Sequence, residues 1–320
     1  MIRPVIAATV PVGLDRRAPE CVALEGLFES RLVRVTSWRC LRDGEALRAD
    51  RYFTDPVLTL AHSGASICHF ERREILVDPT RVFLRNPRET YRTTHPFGCG
   101  DTGVNVRVRP DLVREAIARY DPLVRRGRRE PRFPAPFAPA PPRAIAIQRV
   151  LLGRLQRGLA VDPLAVEECL LRLFDESVAA AHGLRAEHVP SADEETDKDR
   201  SRWVEATQEI LLSHFRETIQ LDDVATAVGV SPFHLSRVFR RATGLPIHRY
   251  LTRLRLHAAL ERVNGEREAD LTRLAYELGF SSHSHFTSAF RREFGMTPST
   301  VRRLASRATL DGCREALSLR

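Results

Sequence analysis

The sequence predicts an α+β multidomain protein: an N-terminal antiparallel β domain with a helical appendix, then an all-α domain of two helix-turn-helix units. Three observations carry this expectation. Short apolar runs separated by Gly, Pro, Asn and Asp fill the first 130 residues. Two stretches with little to bury then punctuate the chain. Finally, a pattern near the C-terminus occurs twice, about 50 residues apart.

At 320 residues, 43% hydrophobic and 28% charged, the chain is long enough for two domains with their own cores. It contains no apolar run of 18 residues, so no membrane span is expected. Its start, MIRPVIAATVPVGLDRR, is broken by Pro4 and Pro11 and does not read as a signal peptide. Six scattered cysteines without a CxxC favour thiols in a reducing cytoplasm over a disulfide framework. The expected location is therefore cytoplasmic.

The net charge is +9, and Lys198 is the only lysine among 50 basic residues. Arginine's planar fork suits phosphate and guanine, although genome composition produces the same bias. The location of the charge says more. Residues 200–308 hold 17 Arg against 11 Asp and Glu, a surplus of six, so a third of the chain carries two-thirds of the net charge. That points to an anionic partner for the C-terminal part.

In residues 1–130 the runs RLVRVTSW, VLTLAHSG, ASICHF, EILV, RVFL and VNVRVR read as strands of an antiparallel sandwich or small barrel. The proline-rich connector of residues 131–143 excludes a helix or a central strand. Residues 144–187 form the helical appendix. Ile147, Leu151, Leu155 and Leu159 make one stripe, and Asp162-Pro163 starts a second helix with Val166, Leu170, Leu173, Phe174 and Val178 on one face. These helices are either packing for the β domain or a dimer surface. The charged stretch HVPSADEETDKDR, residues 188–200, reads as an exposed linker. Residues 201–308 form the last domain, and 309–320 a tail.

The repeat aligns LDDVATAVGVSPFHLSRVFRRATGLP (Leu221–Pro246) with LTRLAYELGFSSHSHFTSAFRREFGMTP (Leu271–Pro298). Leu221, Val224, Ala225, Gly229 and Ser231 correspond to Leu271, Leu274, Ala275, Gly279 and Ser281. After one inserted residue, Leu235, Phe239, Arg240, Arg241 and Gly244 correspond to Phe286, Phe290, Arg291, Arg292 and Gly295. In each copy the small inward residues of a short first helix permit close crossing, and Gly229 or Gly279 ends that helix at positive φ. Ser231 and Ser281 are the expected N-caps of the second helix. Leu235, Val238 and Phe239, or Phe286, Ala289 and Phe290, then face inward.

The outer face carries Phe233, Ser236, Arg237, Arg240 and Arg241 in the first copy. In the second it carries His283, Ser284, Thr287, Ser288, Arg291 and Arg292. Basic and hydroxyl groups of this kind suit the DNA major groove. PIHRYLTRLRLHAALERV (Pro246–Val263) reads as one helix that fixes the spacing of the two units. The pair His283 and His285 is no metal clasp, because residues two apart on a helix point about 200° apart. His283 joins the outer face, and His285 packs at its edge.

These residues resemble the AraC/XylS family of bacterial transcriptional regulators. The resemblance rests on Ala275, Gly279-Phe280, Ser282, Ser284, Phe286, Phe290-Arg291-Arg292, Phe294-Gly295 and Thr297-Pro298, and covers about Arg202 to Arg307. It implies seven helices with two helix-turn-helix units. It also implies base contacts from Phe233, Ser236, Arg237, His283, Ser284, Thr287 and Ser288. Phosphate contacts then fall to Ser231, Arg240, Arg241, Ser281, Arg291 and Arg292. Many members carry a basic residue where this chain has Ser288, so the second unit reads less guanine or mainly contacts backbone. Tyr91, His95-Pro96, Gly98 and Gly100-Asp101 resemble part of the cupin-like sensory domains of some members.

The resemblance implies a homodimeric activator whose partners are double-stranded DNA, RNA polymerase and a small-molecule effector. That effector, and the residues that bind it, stay unknown at this stage. No catalytic residue, cofactor, metal or membrane partner is expected. Two rival readings concern the N-terminal domain. One is a thiol or metal sensor in which Cys68, Cys99, His69 and His95 converge. The other is a cupin-type metalloenzyme, for which the chain lacks the His-x-His with downstream Glu of catalytic members. His62 and His69, seven residues apart, face opposite ways unless a turn intervenes.

Overall fold

The computed structural model describes residues 22–40, 47–70, 74–95, 100–187, 194–265 and 270–306. The chain divides into two compact units, residues 1–187 with 299–320, and residues 188–298. In the first unit lie the strands β1 (Val22–Glu29), β2 (Val33–Cys40), β3 (Leu47–Arg51), β4 (Val57–Ser63), β5 (Ser66–His69), β6 (Glu74–Val77), β7 (Arg81–Arg85), β8 (Tyr91–Thr94) and β9 (Thr102–Val108). They are followed by the helices α1 (Pro110–Ala118) and α2 (Pro122–Arg125), then strand β10 (Phe137–Pro139), and then α3 (Pro142–Gln156) and α4 (Pro163–Glu187).

Two antiparallel sheets result, in the orders β1-β2-β9-β4-β7-β10 and β3-β8-β5-β6. They share a core: Val57 and Ala61 of β4 and Phe83 of β7 meet Cys68, Ile75, Val77 and Tyr91 of the second sheet. Strand β4 lies between β9 and β7 and is buried on both faces, because its alternate residues face the helices. There His62 meets Gln148 of α3 at 3.3 Å, and Arg149 donates to the Ala61 carbonyl at 2.8 Å.

All six expected strand runs are strands. The proline-rich stretch contributes β10, at a sheet edge where a missing N–H is tolerated. Against the expectation of no helix, its last residues Pro142 and Arg143 open α3, because proline fits a first helical turn. Helix α3 ends at Gln156, and Gly158 takes φ +67°, so Leu159 falls outside the stripe expected for it. The second helix starts at the expected place, with Asp162 accepting from the Leu164 N–H at 3.0 Å. Gly64, at φ +70°, makes the turn that separates His62 from His69.

In the second unit lie α5 (Glu194–His214), α6 (Leu221–Val228), α7 (Pro232–Thr243), α8 (Ile247–Gly265), α9 (Leu271–Glu277) and α10 (His283–Phe294). A last helix, α11, spans Pro298–Ser306. Helix α5 begins inside the stretch expected to be linker. Its later residues Val204 and Leu211 are buried against Val238, Phe239, Tyr250 and Leu254, which gives the helix something to pack on. Residues 188–193 of that stretch lie outside the described residues.

Candidate nucleic-acid interface

The first helix pair forms as its residues dictate. Asp222 and Asp223 occupy the first turn of α6, where negative charge is favoured. Gly229 ends α6 at φ +79°, its N–H reaching the Ala225 and Thr226 carbonyls. Ser231 caps α7 by accepting from the His234 N–H at 3.3 Å, and Pro232 fills the first turn. Leu235, Val238 and Phe239 are buried. The opposite side presents Phe233, 79% exposed, with exposed Ser231, Arg237, Arg240 and Arg241 and half-buried Ser236.

In the second pair, Asp270 caps α9 by accepting from the Thr272 N–H at 2.8 Å. Gly279 follows at φ +75°. The N-cap of α10 is Ser282, which accepts from the His285 N–H at 3.1 Å, and not the expected Ser281. The residue inserted in this copy moves the cap one place along. Ser281 is exposed instead, with its hydroxyl 3.1 Å from His285 Nδ1. His285 stands edge-on to Phe280 at 5.6 Å, at the margin of the unit. Ser284, Ser288, Arg291 and Arg292 are exposed. His283 and Thr287 are half-buried, 3.4 Å apart at Nε2 and Oγ1. Phe286, Ala289 and Phe290 are buried.

Charge pairing separates two kinds of arginine. Among the described residues, Arg237, Arg240, Arg241, Arg291 and Arg292 form no ion pair with a carboxylate. Arg253 and Arg262 of α8 and Arg273 of α9 are instead committed within the unit. Arg253 meets Glu293 of α10 at 2.5 Å, and Arg262 meets Glu277 of α9 at 2.5 Å, with Arg273 on the same carboxylate. Those hydrogen bonds, the Arg262 one foremost, hold the Glu277 carboxyl below the usual carboxylate range. Basic side chains left without acids on two helix faces make a surface for a polyanion.

Helix α8 fixes both pairs. Its buried Tyr250 stands edge-on to Phe239 at 5.4 Å and accepts from Gln208 of α5 at 3.3 Å. Its Arg255 donates to three backbone carbonyls: Phe215 at 2.7 Å, Glu217 at 2.7 Å and Gly279 at 2.8 Å. One guanidinium thus ties the end of α5 to the turn of the second pair. Sequence reasoning missed Arg255, because its partners lie 40, 38 and 24 residues away.

In the first unit, a cavity of about 550 Å³ including its mouth lies between the sheets. The buried Arg85 lines it, 4.2 Å above the Tyr91 ring, donating to Thr59 at 3.2 Å and to Cys68 at 3.2 Å. No carboxylate pairs with this guanidinium among the described residues. Among the described residues, Cys68, His69 and His95 of the rival sensor reading do not come together as one cluster. His69 bonds Glu74 at 2.9 Å and Thr94 at 2.7 Å, on the other side of its strand from Cys68. Cys99 lies outside the described residues. His95 instead meets Asp101 at 2.7 Å and Cys40 at 3.9 Å.

Residues 224–304 match the helix-turn-helix domain family. Over 92 residues the chain is 40% identical to the HTH-type transcriptional activator RhaS of Escherichia coli, in strains that include K12 / DH10B and O157:H7. That match takes in 29% of this chain and 33% of the relative, so the chain spans about a third of the length of the curated relatives it matches. Among solved structures, a transcriptional regulator with an AraC-type DNA-binding domain from Chromobacterium violaceum is 26% identical. It covers 37% of this chain and 100% of its own, with a TM-score of 0.31. ToxT from Vibrio cholerae is 11% identical over 87% of this chain and 100% of its own, with a TM-score of 0.32.

Proposed function

Because residues 224–304 match a helix-turn-helix domain family, we propose that the protein is a sequence-specific, DNA-binding regulator of transcription of the AraC type. The observation that carries the proposal is the repeated helix pair whose outer arginines have no acidic partner among the described residues. Helices α7 and α10 enter successive segments of the major groove. Phe233, Ser236, Arg237, His283, Ser284, Thr287 and Ser288 read base edges. Ser231, Arg240, Arg241, Ser281, Arg291 and Arg292 hold phosphates.

Arg237→Ala is expected to weaken the preferred site by about 1–3 kcal/mol and to relax preference at one base pair. Arg291→Ala is expected to weaken all sequences alike and to flatten the salt dependence. Titrating each variant onto cognate and random duplexes at several salt concentrations checks both. Equal losses on the two DNAs for Arg237→Ala would remove its base-reading role.

Activation is the proposed direction of control, since relatives named activators share the domain, and RNA polymerase is then a partner. Helices α3 and α4 are the proposed homodimer surface, with Leu164 58% exposed on α4; sedimentation of the full chain reads the resulting mass. The signal enters the β-domain cavity, where Arg85 anchors an acceptor group of the effector. A charged hydrogen bond of this kind contributes about 1.5–3 kcal/mol, roughly ten- to a hundredfold in affinity. A thermal-shift screen of small molecules against wild type and Arg85→Gln checks this. Hits that stabilise both proteins equally would contradict it.

A further inference from the structure

The wall of that cavity also holds Cys40, His95 and Asp101, whose ligand atoms all lie within 4.8 Å of one another. Their order is specific. Asp101 Oδ1 lies 2.7 Å from His95 Nε2, which places the ring proton on Nε2 and the lone pair on Nδ1. That Nδ1 faces Cys40 Sγ at 3.9 Å. A carboxylate orienting an imidazole whose other nitrogen faces a thiol is the arrangement that turns a thiol into a nucleophile.

The backbone is built to hold these groups together. The Cys40 N–H donates to the Asp101 carbonyl at 2.9 Å. A Cβ on Gly100 would stand 2.4 Å from the Cys40 carbonyl oxygen, and one on Gly64 would stand 2.2 Å from the Gly100 oxygen, so only glycine permits this approach. Cys40, His95 and Asp101 are 5%, 2% and 2% exposed, away from bulk water but on the cavity wall. Trp38, Phe53 and Val77 give that wall apolar surface beside the Arg85 guanidinium, which suits an organic guest that carries a polar acceptor group.

We propose that Cys40 is a covalent capture site for α,β-unsaturated carbonyl compounds that enter the cavity. His95 takes the Cys40 proton on Nδ1 as sulfur forms a bond to the β-carbon. The π electrons of the C=C bond move into an enolate, and the proton on His95 then passes to the α-carbon. The product is a saturated thioether; there is no leaving group, and no electrons are gained or lost overall. Asp101 is a positioning residue that holds the ring and stabilises its protonated form. The proposal rests on the cavity being a ligand site, and its chemistry is tested without DNA.

The full chain is treated with trans-2-nonenal, and site-resolved mass spectrometry follows all six cysteines. Cys40 is expected to gain one aldehyde mass before Cys169, which is buried against the Ala144 carbonyl, and before Cys68. His95→Gln is expected to slow Cys40 about a hundredfold, the usual contribution of a positioned base. Asp101→Asn keeps the side-chain shape and is expected to alter the pH–rate profile of Cys40, which a purely structural role would leave unchanged. Trp38 fluorescence, in a Trp203→Phe background, verifies that each variant retains its β domain.

An unreactive Cys40 in folded protein overturns the proposal, as does equal reactivity in all three proteins. Faster labelling at Cys68 overturns it too. Stoichiometric zinc that protects Cys40 overturns it in favour of a metal site, and oxidation by peroxide without reaction with the enal overturns it in favour of redox sensing. Failure of specific DNA binding with Cys40 reactivity intact would sink the regulator reading and leave the capture site standing.

Discussion

Phe290→Ala is expected to destabilise the second helix pair by about 3–5 kcal/mol, the usual loss for truncating a buried phenylalanine. Phe290 is fully buried and sits in a chain of rings, 5.8 Å from Phe286 and 4.7 Å from Phe294, with Phe280 5.3 Å from Phe286. Removing the middle ring opens a cavity that its neighbours cannot fill without leaving their rotamers. Phe290 is buried while Ser284, Ser288 and Arg291 are exposed, so any loss of DNA binding arises through folding. Hydrogen exchange measures this directly. Amides of α10 are expected to lose protection before those of α7, whose own core residue Phe239 packs on Tyr250. Unchanged exchange in α10 would show that the ring chain does not hold the helix.

Gly279→Ala is expected to cost about 3–4 kcal/mol, against about 1–2 for Gly229→Ala, although both glycines end the first helix of their pair at positive φ. The difference lies in what a Cβ meets. At Gly229 nothing lies within 4 Å. At Gly279 a Cβ would stand 2.8 Å from Arg255 Cζ and Nη2 and 3.0 Å from the Arg216 carbonyl oxygen. Arg255 cannot swing aside cheaply, because each of its three guanidinium nitrogens donates to a carbonyl. The backbone term is common to both variants; the broken clamp belongs to one. Urea unfolding followed by Trp203 fluorescence, in a Trp38→Phe background, compares them. Equal losses would mean that Arg255 relaxes without consequence.

The helix pairs were legible because their signals are local. Gly229, Ser231 and Pro232, or Gly279 followed by the aromatic series, fix helix ends and inward faces within a dozen residues. The same locality explains the misplaced cap: Ser281 and Ser282 are adjacent hydroxyls, and only backbone geometry decides which sits at the N-cap. What joins distant residues was not legible. Arg255 looked like one more arginine on a basic helix, and Arg253 with Glu293, 40 residues apart, gave no hint of pairing.

In the β domain, strands of alternating apolar residues were visible. β1, with Gly26 and a half-exposed edge pattern, was not, nor was the short β8. His95 and Asp101 stood together in a recognisable motif, but their neighbour Cys40 lies 55 residues before the histidine. Strand pairing of β2 with β9 brings it there.

Selection of bound duplexes from a random pool, with the full chain, bears most directly on the two-part DNA reader. Two blocks of preferred bases are expected, centred about one helical turn or 10–10.5 base pairs apart. Arg237→Ala should erode one block, and substitutions at His283 and Thr287 the other. A pool that shows no enrichment, or a single block indifferent to substitutions on α10, would contradict a pair of recognition helices held on one face of the DNA.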